Sequence, residues 1–130
     1  MKDCLFCKVQ EANYKKEIVK ENDHFFATRD SFPVTELHTL IIPKRHIQSY
    51  FEMNQDEINS INQILNQQRN EILNLDENIT AFNIGINDGK DAGQSIRHLH
   101  VHLIPRRKGD MENPQGGVRG VIPAKQKYLK

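Results

Sequence analysis

The sequence predicts an α+β domain, a mainly antiparallel sheet of five short strands with one long helix packed on it. Short apolar runs bounded by turn residues recur on both sides of residues 54–75, and within that stretch the apolar period switches to that of a helix. The strands fall into two groups around this helix instead of alternating with several helices. With 130 residues the chain suits one compact domain with a real core.

Taken in order, "YKKEIVKEND" and "HFFATRD" read as two strands joined at the Glu-Asn-Asp turn, with Ile18 and Val19 leading in and Phe25, Phe26 and Ala27 leading out. "HTLIIP" is a third, apolar strand ended by Pro43. From Asn54 the residues Ile58, Ile61, Ile64, Leu65, Ile72 and Leu73 keep helical spacing. Asn54 is the expected N-cap, Glu57 completes a capping box, and the helix should run to about Leu73 or Leu75. "ITAFNIGIN" is the fourth strand, and "DGKDAGQS", rich in Gly and Asp, is a loop. "IRHLHVHLIP" is the fifth strand, stopped by Pro105. Residues 108–130 hold four of the chain's seven glycines and little periodicity. They read as a C-terminal extension to a main domain of residues 1–107, either part of the same domain or an arm reaching a dimer partner.

A hydrophobic content of 37% with 27% charged residues marks a soluble globular chain. No apolar run approaches the roughly 18 residues of a membrane span, and the start "MKDCLFCKVQ" lacks the apolar core of a secretory signal. A cytoplasmic protein with no membrane partner is expected. The net charge of +1 is unevenly spread: residues 51–80 carry six acids against Arg69, whereas residues 97–130 carry eight Lys or Arg against Asp110 and Glu112. An anionic ligand is favoured at the basic end. No basic helix or aromatic platform suggests a nucleic-acid partner.

Cys4 and Cys7 form one C-x-x-C. A reducing compartment disfavours a disulfide, and a thioredoxin-like site would place the motif between a strand and a helix. Half a zinc site remains, with further ligands from elsewhere, against two ordinary cysteines.

The stretch "HLHVHLIPRR" places histidines at 98, 100 and 102 with Leu99, Val101 and Leu103 between them. On a strand the three imidazoles share one face, about 6.5–7 Å apart, and the apolar residues face the core. A metal site, a catalytic cluster and a chance polar face all fit, but this spacing is wide for one ion. The preceding Gly93, Gln94 and Ser95, with Asn87 at the start of the loop, could turn backbone N–H groups and a hydroxyl toward an anion. A neutral imidazole opposite such a cradle is a competent nucleophile toward phosphorus.

"GQSIRHLHVHLIPRR" resembles the signature of the histidine triad (HIT) superfamily, His-φ-His-φ-His-φ-φ with φ apolar, at every position from His98 to Ile104. "CLFCK", "RDSFPVTELHTLIIPKRH", the helix and "NDGKDAGQS" occur in the family's order, so the likeness spans about residues 4–107. It implies a HIT-like fold whose sheet is extended by dimerisation. It also implies a nucleotidyl hydrolase or transferase acting at the α-phosphate of nucleoside phosphoramidates or dinucleoside polyphosphates. The product would be a nucleoside monophosphate, and a purine base is the expected preference.

By the same resemblance His100 is the nucleophile that forms a nucleotidyl-histidine, with a backbone carbonyl within the triad holding its other ring nitrogen. His102 supports the charge near the phosphate, His38 is the fourth active-site histidine, and Ser95 bonds the leaving-group oxygen. Asn87, Gly93 and Gln94 fall in the phosphate loop, Asp30 where the ribose hydroxyls are held, and Leu5 and Phe6 in the base slot. Cys4, Cys7, His46 and His98 correspond to a structural zinc set of Cys2His2 type, and a homodimer is implied. Arg119, in a tail similar to that of some prokaryotic members, is a candidate phosphate contact across a dimer, against the plainer reading of an exposed arginine. An alternative function is a zinc-containing nucleotide-binding adaptor with a regulatory role and little turnover. A pure metalloenzyme using the triad as ligands is disfavoured by the strand spacing.

Overall fold

Five segments pair into one antiparallel sheet in the computed structural model, which describes residues 3–11 and 17–128. They are β1 (Ile18–Glu21), β2 (Phe25–Arg29), β3 (Thr39–Pro43), β4 (Ile79–Gly85) and β5 (Val101–Arg107), in spatial order β1-β2-β3-β5-β4. A short helix α1 (Leu5–Lys8) precedes the sheet, and α2 (Gln55–Leu75) crosses from β3 toward β4. Residues 14–16, which the sequence reading placed in the first strand, lie outside the described residues.

The capping box at Asn54 fixes where α2 begins. Its side chain accepts from Glu57 N at 2.9 Å, and the Glu57 carboxylate accepts from Asn54 N at 3.0 Å. Glu57 is itself buried and is held by Arg45 at 2.7 Å, which keeps its carboxyl below the usual range. Removing such a cap typically costs about 1 kcal/mol.

Alternation along the strands divides the core in two. Phe25, Ala27, Ile41 and Val101 point to one face and pack with Ile61 and Ile64 of α2. Phe26, Leu40 and Ile42 point to the other and pack with Phe6 and Val9 around α1. Each fully buried Phe or Ile contributes roughly 1.5–3 kcal/mol. Because Val101 and Leu103 face α2, His100 and His102 fall on the α1 side, which α1 covers only at one end. A helix of the described residues long and apolar enough to cross a membrane is absent.

The fifth strand differs from its sequence-based limits at both ends. It starts at Val101, where the ladder to β3 ends at Ile41; residues 96–100 run instead beside the segment after β3, with Leu99 N donating to Ile47 O at 2.7 Å. Nor does Pro105 stop it. The ladder to β3 ends at Leu103, so beyond that point β5 pairs only with β4, and the Pro105 carbonyl accepts from Thr35 Oγ1 instead.

The C-terminal residues fold into a knuckle of two tight turns, Gly117–Val121 and Pro123–Lys125, seated on β4. Its glycines have a steric cause: Gly116 has φ 75°, and any side chain there would run into the Gln126 carbonyl. Arg119 closes the knuckle, donating to the carbonyls of Lys125 and Gln126 and lying 5.1 Å above the Tyr128 ring. Its Nε–H is thus engaged within its own chain while the side chain stays exposed.

Candidate active site and metal-binding cluster

His100 is buried, with Nδ1 2.8 Å from the carbonyl oxygen of His98. A carbonyl can only accept, so Nδ1 carries the proton and Nε2 keeps its lone pair. Phe6 packs against the ring at 5.1 Å between centroids and limits its rotation.

A second chain of hydrogen bonds fixes the other tautomers. The Val34 N–H donates to His38 Nδ1 at 3.0 Å, so His38 Nε2 bears the proton. That nitrogen lies 2.9 Å from His102 Nδ1 and 3.5 Å from Asp30 Oδ2. His102 therefore accepts at Nδ1 and presents a proton on Nε2. Burial lowers the His38 pKa against the pull of Asp30. Burial, with His100 and His38 nearby, lowers that of His102 to about 4. The pair is neutral near pH 7 and polarised in one direction.

His100 and His102 border a cavity of about 430 Å³. His100, His102, Asp30, Asn87, Gly93 and Ser95 line its polar side, and Leu5, Phe6, Val9 and Ile96 its apolar side. Gly93 adopts φ 94°, a left-handed conformation that brings its backbone close to Asn87. Asp30 uses one oxygen to accept from Phe32 N at 2.8 Å and leaves the other near His38. Leu5 is 55% exposed at the rim, whereas Phe6, at 4%, serves both the core and the wall.

Gln94 has a different job from the one its position in the loop suggested. Its side chain accepts from Gly89 N and donates to the carbonyls of Gln48 and Ile96, so it braces the loop from behind and does not line the cavity. Asp88, which the sequence reading passed over, joins it. The carboxylate accepts from Ser49 Oγ at 3.0 Å and Tyr50 N at 2.8 Å, tying the loop to the segment after His46. Backbone partners such as Val34 N carry no residue signature, and nothing in the spacing could have singled them out.

Cys4, Cys7, His46 and His98 converge on one point. Tetrahedral zinc, with Zn–S about 2.3 Å and Zn–N about 2.0–2.1 Å, would set N···N edges near ~3.3 Å and S···N edges near ~3.6 Å. Here His46 and His98 Nδ1 are 3.2 Å apart, Cys4 and Cys7 Sγ lie 3.3 and 3.6 Å from His98 Nδ1, and Cys7 Sγ lies 3.3 Å from His46 Nδ1. The protonation also fits. His98 Nε2 is 2.7 Å from Pro43 O and must donate to it, which leaves Nδ1 as a ligand lone pair, and burial holds the ring neutral with a pKa of about 4. Asp30, His38 and His102 form another close group of donors. There, however, the proton that Val34 forces onto His38 Nε2 sits where an ion would have to be, and the group reads as a hydrogen-bonded relay.

A family model described as the HIT domain matches residues 11–109. The bis(5'-adenosyl)-triphosphatase of Dictyostelium discoideum is 33% identical over 103 residues, covering 74% of this chain and 68% of its own. A member of the HIT family from Bacillus subtilis, of known crystal structure, superposes with TM-score 0.75 at 32% identity, over 83% of this chain and 76% of that one. A Zn-bound histidine triad family protein from Mycobacterium smegmatis superposes with TM-score 0.73 at 29% identity, over 86% and 81%.

Proposed function

This chain belongs to the HIT family, and from that footing we propose that it is a nucleotidyl hydrolase using His100 as nucleophile. The observation that carries this reading is the 2.8 Å contact from His100 Nδ1 to His98 O, which commits Nε2 to attack at the rim of a nucleotide-sized cavity. Substrates are nucleoside phosphoramidates or dinucleoside polyphosphates, with a purine base in the slot at Leu5 and Phe6 and the ribose hydroxyls at Asp30.

In the first step the Nε2 lone pair forms a bond to the α-phosphorus as the bond to the leaving group breaks. Ser95 donates to the leaving atom, and the Nε2–H of His102 donates to a phosphoryl oxygen that gains charge. Gly93 and Asn87 hold the phosphate, while Gln94 and Asp88 brace their loop. In the second step water attacks phosphorus, the N–P bond breaks, and a nucleoside monophosphate leaves as Nε2 regains its pair. Two modest barriers replace one high one.

Cys4, Cys7, His46 and His98 hold a structural zinc ion, which would staple α1 to the segment carrying the nucleophile; the tetrahedral edge lengths support this. The working unit is a homodimer. The reading is tested with purified, metal-quantified protein given adenosine and guanosine phosphoramidates and diadenosine polyphosphates, wild type beside His100→Ala. A protein that binds nucleotide yet turns over neither class is an adaptor, not a hydrolase.

A further inference from the structure

Residues 46–50 form no strand, yet they join the metal-binding cluster to the phosphate loop. At one end His46 enters the cluster, and Ile47 O accepts from Leu99 N at 2.7 Å, beside the stretch that carries His98. The Gln48 carbonyl accepts from Gln94 Nε2 at 3.0 Å. At the other end the Asp88 carboxylate accepts from Ser49 Oγ at 3.0 Å and from Tyr50 N at 2.8 Å. Gln94 and Asp88 thus tie down the two ends of the loop. Asn87, next to Asp88, lines the nucleotide cavity, as do Gly93 and Ser95 on either side of Gln94. The turn at Tyr50–Glu52 does not depend on Asp88 for its shape. Ser49 Oγ accepts from Phe51 N and the Glu52 carboxylate accepts from Ser49 N at 2.9 Å, so the turn is capped from within. A carboxylate beside a residue that meets phosphate also repels the ligand. What Asp88 contributes is the link between two segments distant in the chain.

We propose that Asp88 is a positioning residue that couples the set of Cys4, Cys7, His46 and His98 to the phosphate loop, so that metal and nucleotide strengthen each other's binding. The inference rests on the nucleotide site and the zinc set of the proposed function and adds a dependence between them. Side chains drawn to one ion fix the His46 and His98 rings together, and with them the bonded backbone at Ile47 and Leu99. The chain from His46 to Tyr50 is short, so fixing its first residue restricts where Ser49 and Tyr50 stand. Asp88 passes that restriction to Asn87, which has to meet the phosphate. A loop ordered in advance binds its ligand at a lower entropic cost. The effect is reciprocal, because a coupling free energy between two ligands acts equally on both. Gln94 does not replace this link, since it anchors the far end of the loop and is shared with Gly89 N and the Ile96 carbonyl.

The test uses the full-length protein and measures zinc affinity by competition with a chromophoric zinc chelator, with and without saturating adenosine monophosphate. In wild type the nucleotide should tighten zinc binding by about 5-fold or more. Asp88→Ala should bring that factor below about 2-fold. Asp88→Asn keeps an oxygen to accept from Tyr50 N and should recover most of the wild-type factor. Amide exchange gives a second measurement: zinc should slow exchange across residues 88–95 in wild type and leave it unchanged in Asp88→Ala. A factor near one in wild type overturns the coupling, and so does a wild-type factor in Asp88→Ala. The latter is what a chain that merely unfolds without zinc would give. Failure of Asp88→Asn to restore the factor overturns the role of the hydrogen bond to Tyr50. Each of these results leaves the hydrolase reading standing. That reading falls instead if the zinc-loaded wild type releases no adenosine monophosphate from adenosine 5'-phosphoramidate. Protein that binds no zinc, or no adenosine monophosphate, overturns the coupling together with its premise.

Discussion

The carbonyl oxygen of His98 lies 2.8 Å from Nδ1 of His100, while the His98 side chain turns its own Nδ1 into the cysteine cluster. One residue thus serves the proposed nucleophile with its backbone and the Cys4–Cys7–His46 cluster with its ring. The expected behaviour of His100 follows from the first half of that arrangement.

Replacing His100 with Ala removes the nitrogen proposed to attack. Turnover should fall by roughly 10⁴-fold or more, while affinity for a nucleoside monophosphate stays within a few-fold. Calorimetric titration beside steady-state rates separates the two effects, and substantial residual turnover would mean that another group attacks.

The relay from Val34 through His38 to His102 sets a tautomer without adding charge. Breaking it with His38→Ala frees the His102 ring to place its proton on either nitrogen. A loss of between roughly 10²- and 10⁴-fold in kcat is expected. Nitrogen-15 shifts of His102 should change from a single Nε2–H form to a mixture. An unchanged tautomer would remove His38 from this role.

Acid should weaken the fold through the same residues. His102 has its pKa lowered from 6.5 to about 4, so between those values the unfolded chain binds a proton that the folded chain refuses. Stability is complete above pH 6.5 and declines as the pH falls toward 4. The contribution is about 2 kcal/mol once partial solvent access to the ring is allowed for. Urea unfolding at stepped pH should show this slope, and a His102→Asn variant should show a shallower one.

The Cys2His2 set makes a compositional claim that needs no assay of activity. Elemental analysis should find close to one zinc per chain in wild type and far less in Cys4→Ser. Chelation should lower the Tm by roughly 5 °C or more. Protein that is metal-free as purified and indifferent to chelator would leave the four residues as an ordinary packed cluster.

Much of this was legible in the sequence where the signal is local. The Asn54–Glu57 box marked the start of α2 to the residue, because a cap is a contact between neighbours. The turn at Glu21–Asp23 marked the first hairpin for the same reason. Alternation in "HLHVHL" set Val101 and Leu103 toward the core under α2, although His98 and His100 are buried as well. What failed depends on distant partners. β5 starts late because Leu99 bonds Ile47 and not β3, and Pro105 is tolerated because the ladder to β3 has already stopped at Leu103. Gln94 looks like a ligand-facing loop residue until Gln48, far away in sequence, claims its amide. Gly116 and Gly120 of the tail gave no period because they answer to one close approach by Gln126.

Leu37, immediately before His38, takes φ 73°, a conformation costing a non-glycine residue on the order of 1 kcal/mol, while its side chain packs with Ile72, Ile79 and Leu103. Relief by glycine would empty that packing site, and any bulky replacement would inherit the torsional tension. Random mutagenesis should therefore find few tolerated changes at position 37, although it touches no ligand, and laboratory evolution toward heat resistance would have to go around it.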